Sequence, residues 1–365
     1  MRNWRDLLFA PAIVTLLLSL LLIAAVILQA DGDPLALARI GTRFSEGNPN
    51  GTEGYDGQFV YYIARDLSPE QVAPYLDVPA YRYQRILLPL LARLSSLGNV
   101  AALPWALAGI GLVSHAIGTQ LVSALLAHFG VSRWYALVYG LWVGFLLALR
   151  LDLPEPLAYA LVAGAILAMV RGRRRLGWGL YALAVFAKEV TLLFVLGQLL
   201  YDLAGRRWKD AAGLSLVVFV PFGLFQWWLW AQFGEAGIGS GGAMATPFEM
   251  VPFMGLLRVG AFSTTLLLAL LLIYGLFVIT PAVWGFIDGL RRWRRDGLDL
   301  VTSLVIVNAG IIPFIPFSTY REPGGMLRFI CGLALAALLY AGKFQVRRAL
   351  NYGFFWLALN AILLN

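Results

Sequence analysis

One carboxylate lies in a segment whose residue types favour chemistry at a membrane surface. The run Gly54-Tyr55-Asp56-Gly57-Gln58-Phe59 belongs to a polar loop that follows the first hydrophobic stretch of the chain. A carboxylate in such a loop can accept the proton of a substrate hydroxyl as that hydroxyl attacks a carbon atom. Asp56 also directly precedes a predicted helix, whose first amide hydrogens it could accept instead. From this residue alone, the roles of general base and helix cap are both open.

A row of arginines follows further along the same loop. The periodicity predicts a helix over 81–97, kinked at Pro89. Arg82, Arg85 and Arg93 share one face of this helix, and leucines occupy the opposite face. Such a helix can lie in the outer membrane interface, where its arginines touch lipid phosphates. The guanidinium groups can also hold the phosphate of a bound lipid substrate, because their planar fork matches phosphate oxygens. The two interpretations are compatible.

Two further groups of charged residues lie at predicted helix ends. Glu155 follows Asp152-Leu153-Pro154 and is either part of a site or a favourable charge at a helix N-terminus. Lys188 and Glu189 interrupt a long apolar stretch, so they are candidates for a functional role or for an internal ion pair.

The last group surrounds a Pro-Gly-Gly turn, which lets the backbone approach a ligand closely. Arg321 and Glu322 precede this turn, and Arg328 follows it inside a predicted span. An unpaired guanidinium is costly at membrane depth, so we expect Arg328 to have an anionic partner. Glu322 and a lipid phosphate are the two candidates.

Composition predicts a membrane-embedded scaffold for these groups. Of the 365 residues, 60% are hydrophobic and only 13% are charged. Apolar stretches of about 20 residues, the length that crosses a bilayer, recur along the chain. We therefore predict an all-α fold, a polytopic transmembrane helical bundle of about eleven spans. Residues 1–365 form one domain, whose outer loop 31–100 carries interfacial helices. The predicted spans are 8–29, 101–128, 133–150, 155–170, 177–188, 190–204, 211–232, 258–287, 298–318, 325–342 and 349–364.

The basic residues predict the orientation. Their clusters fall on alternate ends of the spans, beginning with Arg2 and Arg5, so the positive-inside rule places the N-terminus in the cytoplasm. The loop 31–100 then lies outside, and the protein belongs to the inner (plasma) membrane. The first stretch is longer than a signal-peptide core, which favours an uncleaved span. Residues 177–204 form either one long helix or, as we prefer, a hairpin that turns at Lys188-Glu189 and keeps the later basic loops inside.

Several standard sites are absent from the sequence. Both histidines, His115 and His128, fall in the second predicted span, which argues against a histidine-based metal site or a Ser-His-Asp triad. The single cysteine, Cys331, excludes an internal disulfide framework. No phosphate-binding glycine-rich loop with a following Lys-Ser/Thr pair occurs, and the inner loops are too short for a nucleotide-sugar domain. The basic residues sit in short loops between spans, so no nucleic-acid partner is expected.

The outer loop resembles that of a known enzyme superfamily. The succession Gly54–Phe59, Tyr61–Asp66 and Ala80–Arg85 is similar to the first outer loop of predicted bacterial integral-membrane glycosyltransferases of the GT-C superfamily. The aromatic-Asp-Gly element is also similar to that of the PIG-V-like mannosyltransferases. The chain departs from the superfamily at one point. Many members have paired acids at this position, whereas Asp56 is flanked by Tyr55 and Gly57.

This resemblance implies sugar transfer, with inversion, from a polyprenyl-phosphate donor to a glycan, lipid or protein acceptor at the outer face. Asp56 is then the base, and membrane lipids are further partners. No cofactor is required, and the unpaired acid leaves a divalent metal without support. The expected substrate-binding residues are Tyr55, Gln58, Tyr62, Arg82, Arg85, Glu155, Lys188, Glu189, Arg321, Glu322 and Arg328. The alternatives are a polytopic transporter or lipid flippase, and a non-catalytic scaffold subunit. A transporter usually has internal repeats, and this sequence has no convincing one.

Overall fold

The structure, a computed structural model, describes residues 10–364, and every regular element in that range is helical. The predicted all-α class is confirmed. Four helices are long and apolar enough to cross a membrane, or five if one bent pair counts as a single span. The predicted count of about eleven spans is therefore not confirmed. Arg2 and Arg5, on which the predicted orientation partly depends, lie outside the described residues.

The first half of the chain combines long apolar helices with the short helices of the loop. The helices in this half are α1 (Pro11–Gln29), α2 (Thr42–Ser45), α3 (Gly57–Arg65), α4 (Pro69–Val72), α5 (Pro79–Tyr83), α6 (Leu87–Ser95), α7 (Leu103–His128), α8 (Leu137–Gly140) and α9 (Val143–Arg150).

The second half contains more interrupted helices. They are α10 (Glu155–Val170), α11 (Arg174–Ala187), α12 (Leu192–Ala204), α13 (Trp208–Phe233), α14 (Met254–Leu257), α15 (Thr264–Tyr274), α16 (Thr280–Asp296), α17 (Leu300–Gly310), α18 (Phe317–Arg321), α19 (Pro323–Phe329), α20 (Cys331–Lys343) and α21 (Arg347–Phe355). A π-helical stretch, Gly275–Ile279, joins α15 to α16, while α19 and α20 meet at a bend of 43°.

Helix α1 shows why this fold suits a bilayer. Thr15 and Ser19 are fully buried against the rest of the protein, whereas Leu17 and Leu21 are 54% and 65% exposed. Small polar residues inside and leucines outside reverse the pattern of a soluble helix, and this arrangement is typical of a helix that packs on neighbours and faces lipid. Several apolar helices of this chain could therefore cross a membrane.

The chain reverses direction between α11 and α12. Helix α11 ends at Ala187, Lys188 is extended, and α12 begins at Leu192. The first turns of α11 and the last turns of α12 line one cavity, and Arg174 at the start of α11 pairs with Asp210 just beyond α12. The hairpin interpretation of 177–204 therefore describes the fold correctly, with Lys188 and Glu189 at its turn.

The loop 31–100 forms a hydrophobic cluster with the N-terminal parts of the helices α7 and α10. Phe59 and Ile63 of α3 and Leu88 of α6 are buried, together with Leu107 of α7 and Ala158 of α10. The helix predicted over 81–97 is interrupted within this packing. Helix α5 ends at Tyr83, and α6 begins only at Leu87. The predicted span 133–150 is likewise divided between α8 and α9 by an extended residue, Trp142, whose indole N–H donates to the Leu327 carbonyl.

Candidate functional site

Asp56 lies at the start of α3, where glycines bring two backbones together. Gly54 has a φ of +68°, a conformation that side chains rarely adopt. A Cβ on Gly57 would lie only 2.1 Å from the Leu151 carbonyl oxygen. A glycine at this position is therefore what lets the N-terminus of α3 approach the turn that follows α9.

The Asp56 side chain does not cap the helix that it precedes. No amide hydrogen of α3 binds its carboxylate. Instead, Arg82 Nη1 lies 3.0 Å from Oδ1, and Arg328 Nη1 and Nη2 lie 3.5 and 3.4 Å from Oδ2. The helix-cap interpretation is wrong, because the carboxylate faces two guanidinium groups.

Arg82 is fixed from more than one side. Its Nε and Nη2 donate to Asp77 Oδ1 and Oδ2 at 2.6 and 2.8 Å, and its guanidinium carbon lies 4.4 Å from the centre of the Phe59 ring. Asp77 also accepts a hydrogen bond from the Ala243 amide at 3.2 Å, which attaches the segment 234–253 to the site. Sequence analysis did not single out Asp77, although its position five residues before Arg82 was a usable signal.

Arg328 joins distant parts of the chain. Besides Asp56, its guanidinium contacts Glu155 Oε1 at 3.3 Å, the Tyr55 hydroxyl at 3.0 Å and the Gly324 carbonyl at 3.3 Å. Its side chain is 9% exposed and that of Glu155 is fully buried. The expected anionic partner of Arg328 is therefore present. It is Asp56 and Glu155 rather than Glu322, which accepts the Tyr55 hydroxyl at 2.6 Å.

The hairpin turn brings two more charges to this group. Lys188 pairs with Glu155, the carboxylate that Arg328 also contacts. Glu189 accepts two hydrogen bonds from Arg85, at 2.6 and 2.8 Å, and Arg85 also donates to the Tyr81 hydroxyl at 2.6 Å. Glu155, Lys188 and Glu189 thus join the outer loop, as sequence analysis had grouped them.

Together these residues form what we call the Asp56 network, in which carboxylates and cations balance. Its ion pairs join four carboxylates with four cations. The carboxylates are Asp56, Asp77, Glu155 and Glu189, and the cations are Arg82, Arg85, Lys188 and Arg328. With its side chain 27% exposed, Asp56 is the most accessible of the four carboxylates, so a ligand would meet it first.

The arginines govern the ionisation of the loop carboxylates. Burial raises the pKa of Asp56, but the charges of Arg82 and Arg328 outweigh burial and hold that pKa well below its usual range. Burial likewise opposes ionisation of Asp77, and its hydrogen bonds from Arg82 bring its pKa below the usual value. Both residues are therefore carboxylates at neutral pH.

Other predicted site residues lie outside the Asp56 network. Arg321 is exposed, and its guanidinium carbon lies 5.5 Å from the centre of the Phe317 ring. Gln58 is buried and joins the Gly41 amide to the Glu53 carbonyl. Gln58 therefore supports the outer loop, whereas Arg321 lies at the end of α18, away from the network.

Two more loop residues, Tyr62 and Arg93, contact other parts of the loop and not the Asp56 network. Tyr62 is buried and stacks on Tyr75 with ring centres 4.9 Å apart. Arg93 donates to the carbonyls of Ala64 and Arg65 at the end of α3, so it does not continue the row of Arg82 and Arg85.

Known proteins offer no direct guide to this site. Within residues 10–364, no group of three or more His, Cys, Asp or Glu side chains could hold a metal ion. We compared the chain with protein-family models, with curated proteins and with solved structures, and none of the three comparisons found a match. Any functional assignment therefore depends on the chemistry of the Asp56 network.

Proposed function

We propose that this protein is an integral-membrane glycosyltransferase that moves a sugar from a polyprenyl-phosphate donor to an acceptor hydroxyl, with Asp56 as the base. One observation carries the proposal. Asp56 stands where a helix cap would stand, yet its carboxylate faces two arginines and is partly exposed. A carboxylate beside phosphate-binding groups is the combination that this reaction needs.

The reaction assigns a role to each of these groups. The acceptor oxygen attacks the anomeric carbon, and the bond from that carbon to the phosphate oxygen breaks. The phosphate leaves with the bonding electrons, and Asp56 takes the acceptor proton. A single displacement of this kind inverts the anomeric centre. Arg328 and Arg82 offset the charge that develops on the leaving phosphate, a task for which fixed cations are effective.

The buried partners position these cations. Asp77 holds Arg82 through two short hydrogen bonds, while Glu155, itself paired with Lys188, holds Arg328. Glu189 holds Arg85 and connects the hairpin turn to the outer loop. We assign Asp77, Glu155, Lys188 and Glu189 as positioning residues.

The proposal includes a membrane topology. We propose about eleven membrane-inserted segments in the inner membrane, several of them short or broken, with a cytoplasmic N-terminus and the Asp56 network on the outer side. Single cysteines at the exposed positions 48 and 244, in a background without Cys331, test this orientation. We expect impermeant reagents to label both from outside. Labelling of either position only from the cytoplasmic side would contradict the topology.

The test of the enzymatic proposal is sugar transfer by purified Asp56→Asn protein, supplied with polyprenyl-phosphate sugars and glycan or lipid acceptors. Asn keeps the shape of Asp but cannot accept the proton, so transfer should fall about 10²–10⁴-fold. Asp33→Asn is the matched control, because Asp33 in the same loop accepts the Leu35 amide as a local cap. Unchanged transfer by folded Asp56→Asn protein would show that Asp56 is not the base.

A transporter is the second candidate, and one observation favours it. The charged turn at Lys188-Glu189 lies between two short helices, and transporters build their binding sites from interrupted helices of this kind. Reconstituted vesicles separate the two proposals. Release of polyprenyl phosphate from the donor indicates transfer, whereas movement of the intact lipid across the bilayer indicates transport.

A further inference from the structure

Two arginines weaken Asp56 as a base in the arrangement described. A guanidinium lies on each of its two oxygens, Arg82 on Oδ1 and Arg328 on Oδ2. Both charges favour the ionised carboxylate, so Asp56 becomes a stronger base when one of these arginines moves away.

The contact distances indicate which arginine moves. Arg82 binds Asp77 at 2.6 and 2.8 Å, the range expected for strong charge-assisted hydrogen bonds. Arg328 contacts its two carboxylates, Asp56 and Glu155, only at 3.3–3.5 Å. Arg328 therefore has no short bond to any single acid, whereas Arg82 is anchored.

The surroundings of Arg328 also permit its transfer. If Arg328 moved, Glu155 would keep Lys188 as a partner, so no buried carboxylate would be left alone. The network already contains as many carboxylates as cations, so a phosphate that enters it can gain a cation only by taking one from a carboxylate.

We infer that Arg328 is a transferable cation, which the donor phosphate takes from Asp56, so that the base reaches its full strength only after the donor has bound. This inference rests on the proposed function and adds an order to it, donor before acceptor. The order has a chemical advantage, because the carboxylate stays neutralised while the phosphate is absent. The incoming negative charge then strengthens the base, since a nearby anion favours protonation.

Binding of radiolabelled polyprenyl phosphate to the purified full chain in detergent tests the inference. Asp56→Asn removes the competitor for Arg328, so it should tighten binding by about tenfold or more, in the range of coupling measured for close charge pairs. Glu53→Gln is the matched control. It also removes one carboxylate from the outer loop, but that carboxylate pairs with Arg43 and does not bind Arg328. We expect less than about a twofold change for this control.

The double variant tests the route through Arg328. In an Arg328→Gln background, Asp56→Asn should no longer tighten binding, because the cation for which they compete is gone. Arg328→Met, which has a long side chain without charge, provides a second background if the Gln variant does not fold. A gain of equal size in these backgrounds, or in Glu53→Gln, would show a general charge effect and overturn the inference.

The remaining outcomes separate the inference from the proposed function. If wild-type protein binds polyprenyl phosphate and Asp56→Asn binds it equally or more weakly, the transferable cation is wrong and the glycosyltransferase proposal stands. If neither wild type nor any variant binds polyprenyl phosphate, the proposed donor is wrong, and the inference falls with it.

Discussion

Two groups of buried or half-buried charges, at opposite ends of the α11–α12 hairpin, are built differently. In the Asp56 network, Asp56 and Arg328 come from opposite halves of the chain. Asp56 contacts the arginines and does not cap the helix that it precedes. In the group at the other end, Asp202 pairs with Arg207 five residues away, and Asp299 caps α17 through two amides while it pairs with Lys343.

We call the second group the Asp202 cluster. It comprises Asp202, Arg207, Arg174, Asp210, Asp299 and Lys343, which line a cavity of about 450 Å³. Asp202 pairs with Arg207 close by in the sequence and Asp299 caps its own helix, so local folding already explains two of the three acids. The comparison shows that a charged cavity alone is a poor indicator of function. A better indicator of function is a carboxylate that binds cations distant in the sequence although the amides of its own helix lie nearer along the chain.

The largest expected difference between the two groups is in catalysis. Asp56→Asn should reduce sugar transfer about 10²–10⁴-fold, as argued above. Asp202→Asn should leave transfer per folded molecule within about twofold, because Asp202 only holds Arg207 and Gln198 near the opposite end of the molecule. Rates normalised to folded protein measure both. Equal losses in the two variants would show that Asp56 has no special role in transfer.

The next difference concerns stability. Glu189→Gln leaves the buried Arg85 without its counter-charge, which should cost about 3–5 kcal/mol. Asp210→Asn breaks the pair with Arg174, whose side chain is 55% exposed, and should cost at most about 1 kcal/mol. Denaturation in detergent, followed by tryptophan fluorescence, can rank the two variants. A larger loss for Asp210→Asn would reverse our assignment of the buried and exposed pairs.

A smaller effect is expected from the backbone contact that positions Asp56. Gly57→Ala places a methyl group against the Leu151 carbonyl and should cost about 1–3 kcal/mol, with a reduced transfer rate as α3 shifts. Gly223→Ala in α13 is the control, since a Cβ there meets no atom within 4 Å. That change should be neutral or stabilise the helix by up to about 1 kcal/mol. Normal activity of Gly57→Ala would mean that the close approach does not set the site geometry.

The smallest effect near neutral pH is on stability as the pH changes. Because folding lowers the pKa of Asp56 and Asp77, these groups stabilise the folded state above their ordinary pKa of about 4. That contribution should persist between pH 8 and 5 and disappear as the pH falls below about 4 and the carboxylates protonate. In the Asp56→Asn, Asp77→Asn double variant the loss of stability below about pH 4 should be smaller. If this variant loses as much stability below about pH 4 as the wild type, then other groups cause that loss.

The sequence alone predicted the all-α class, favoured a chain reversal at Lys188-Glu189 over one long helix, and singled out most of the charged residues that meet in the Asp56 network. Apolar periodicity and the cost of burying a charge are local properties, so they can be read without knowledge of contacts. The same local rules failed for the helix over 81–97, which is interrupted between Tyr83 and Leu87, where Arg85 binds Glu189 of the distant hairpin turn.

Only the tertiary structure decided which charges meet. The sequence left Asp56 open between a cap and a base and left Arg328 open between Glu322 and a phosphate. The fold turned Asp56 away from α3 and placed Arg328 between Asp56 and Glu155. It also brought Asp77 to Arg82 and left Arg321 outside. Charges attract one another strongly only at short distance and away from water, so partners far apart in sequence are determined by packing rather than by spacing.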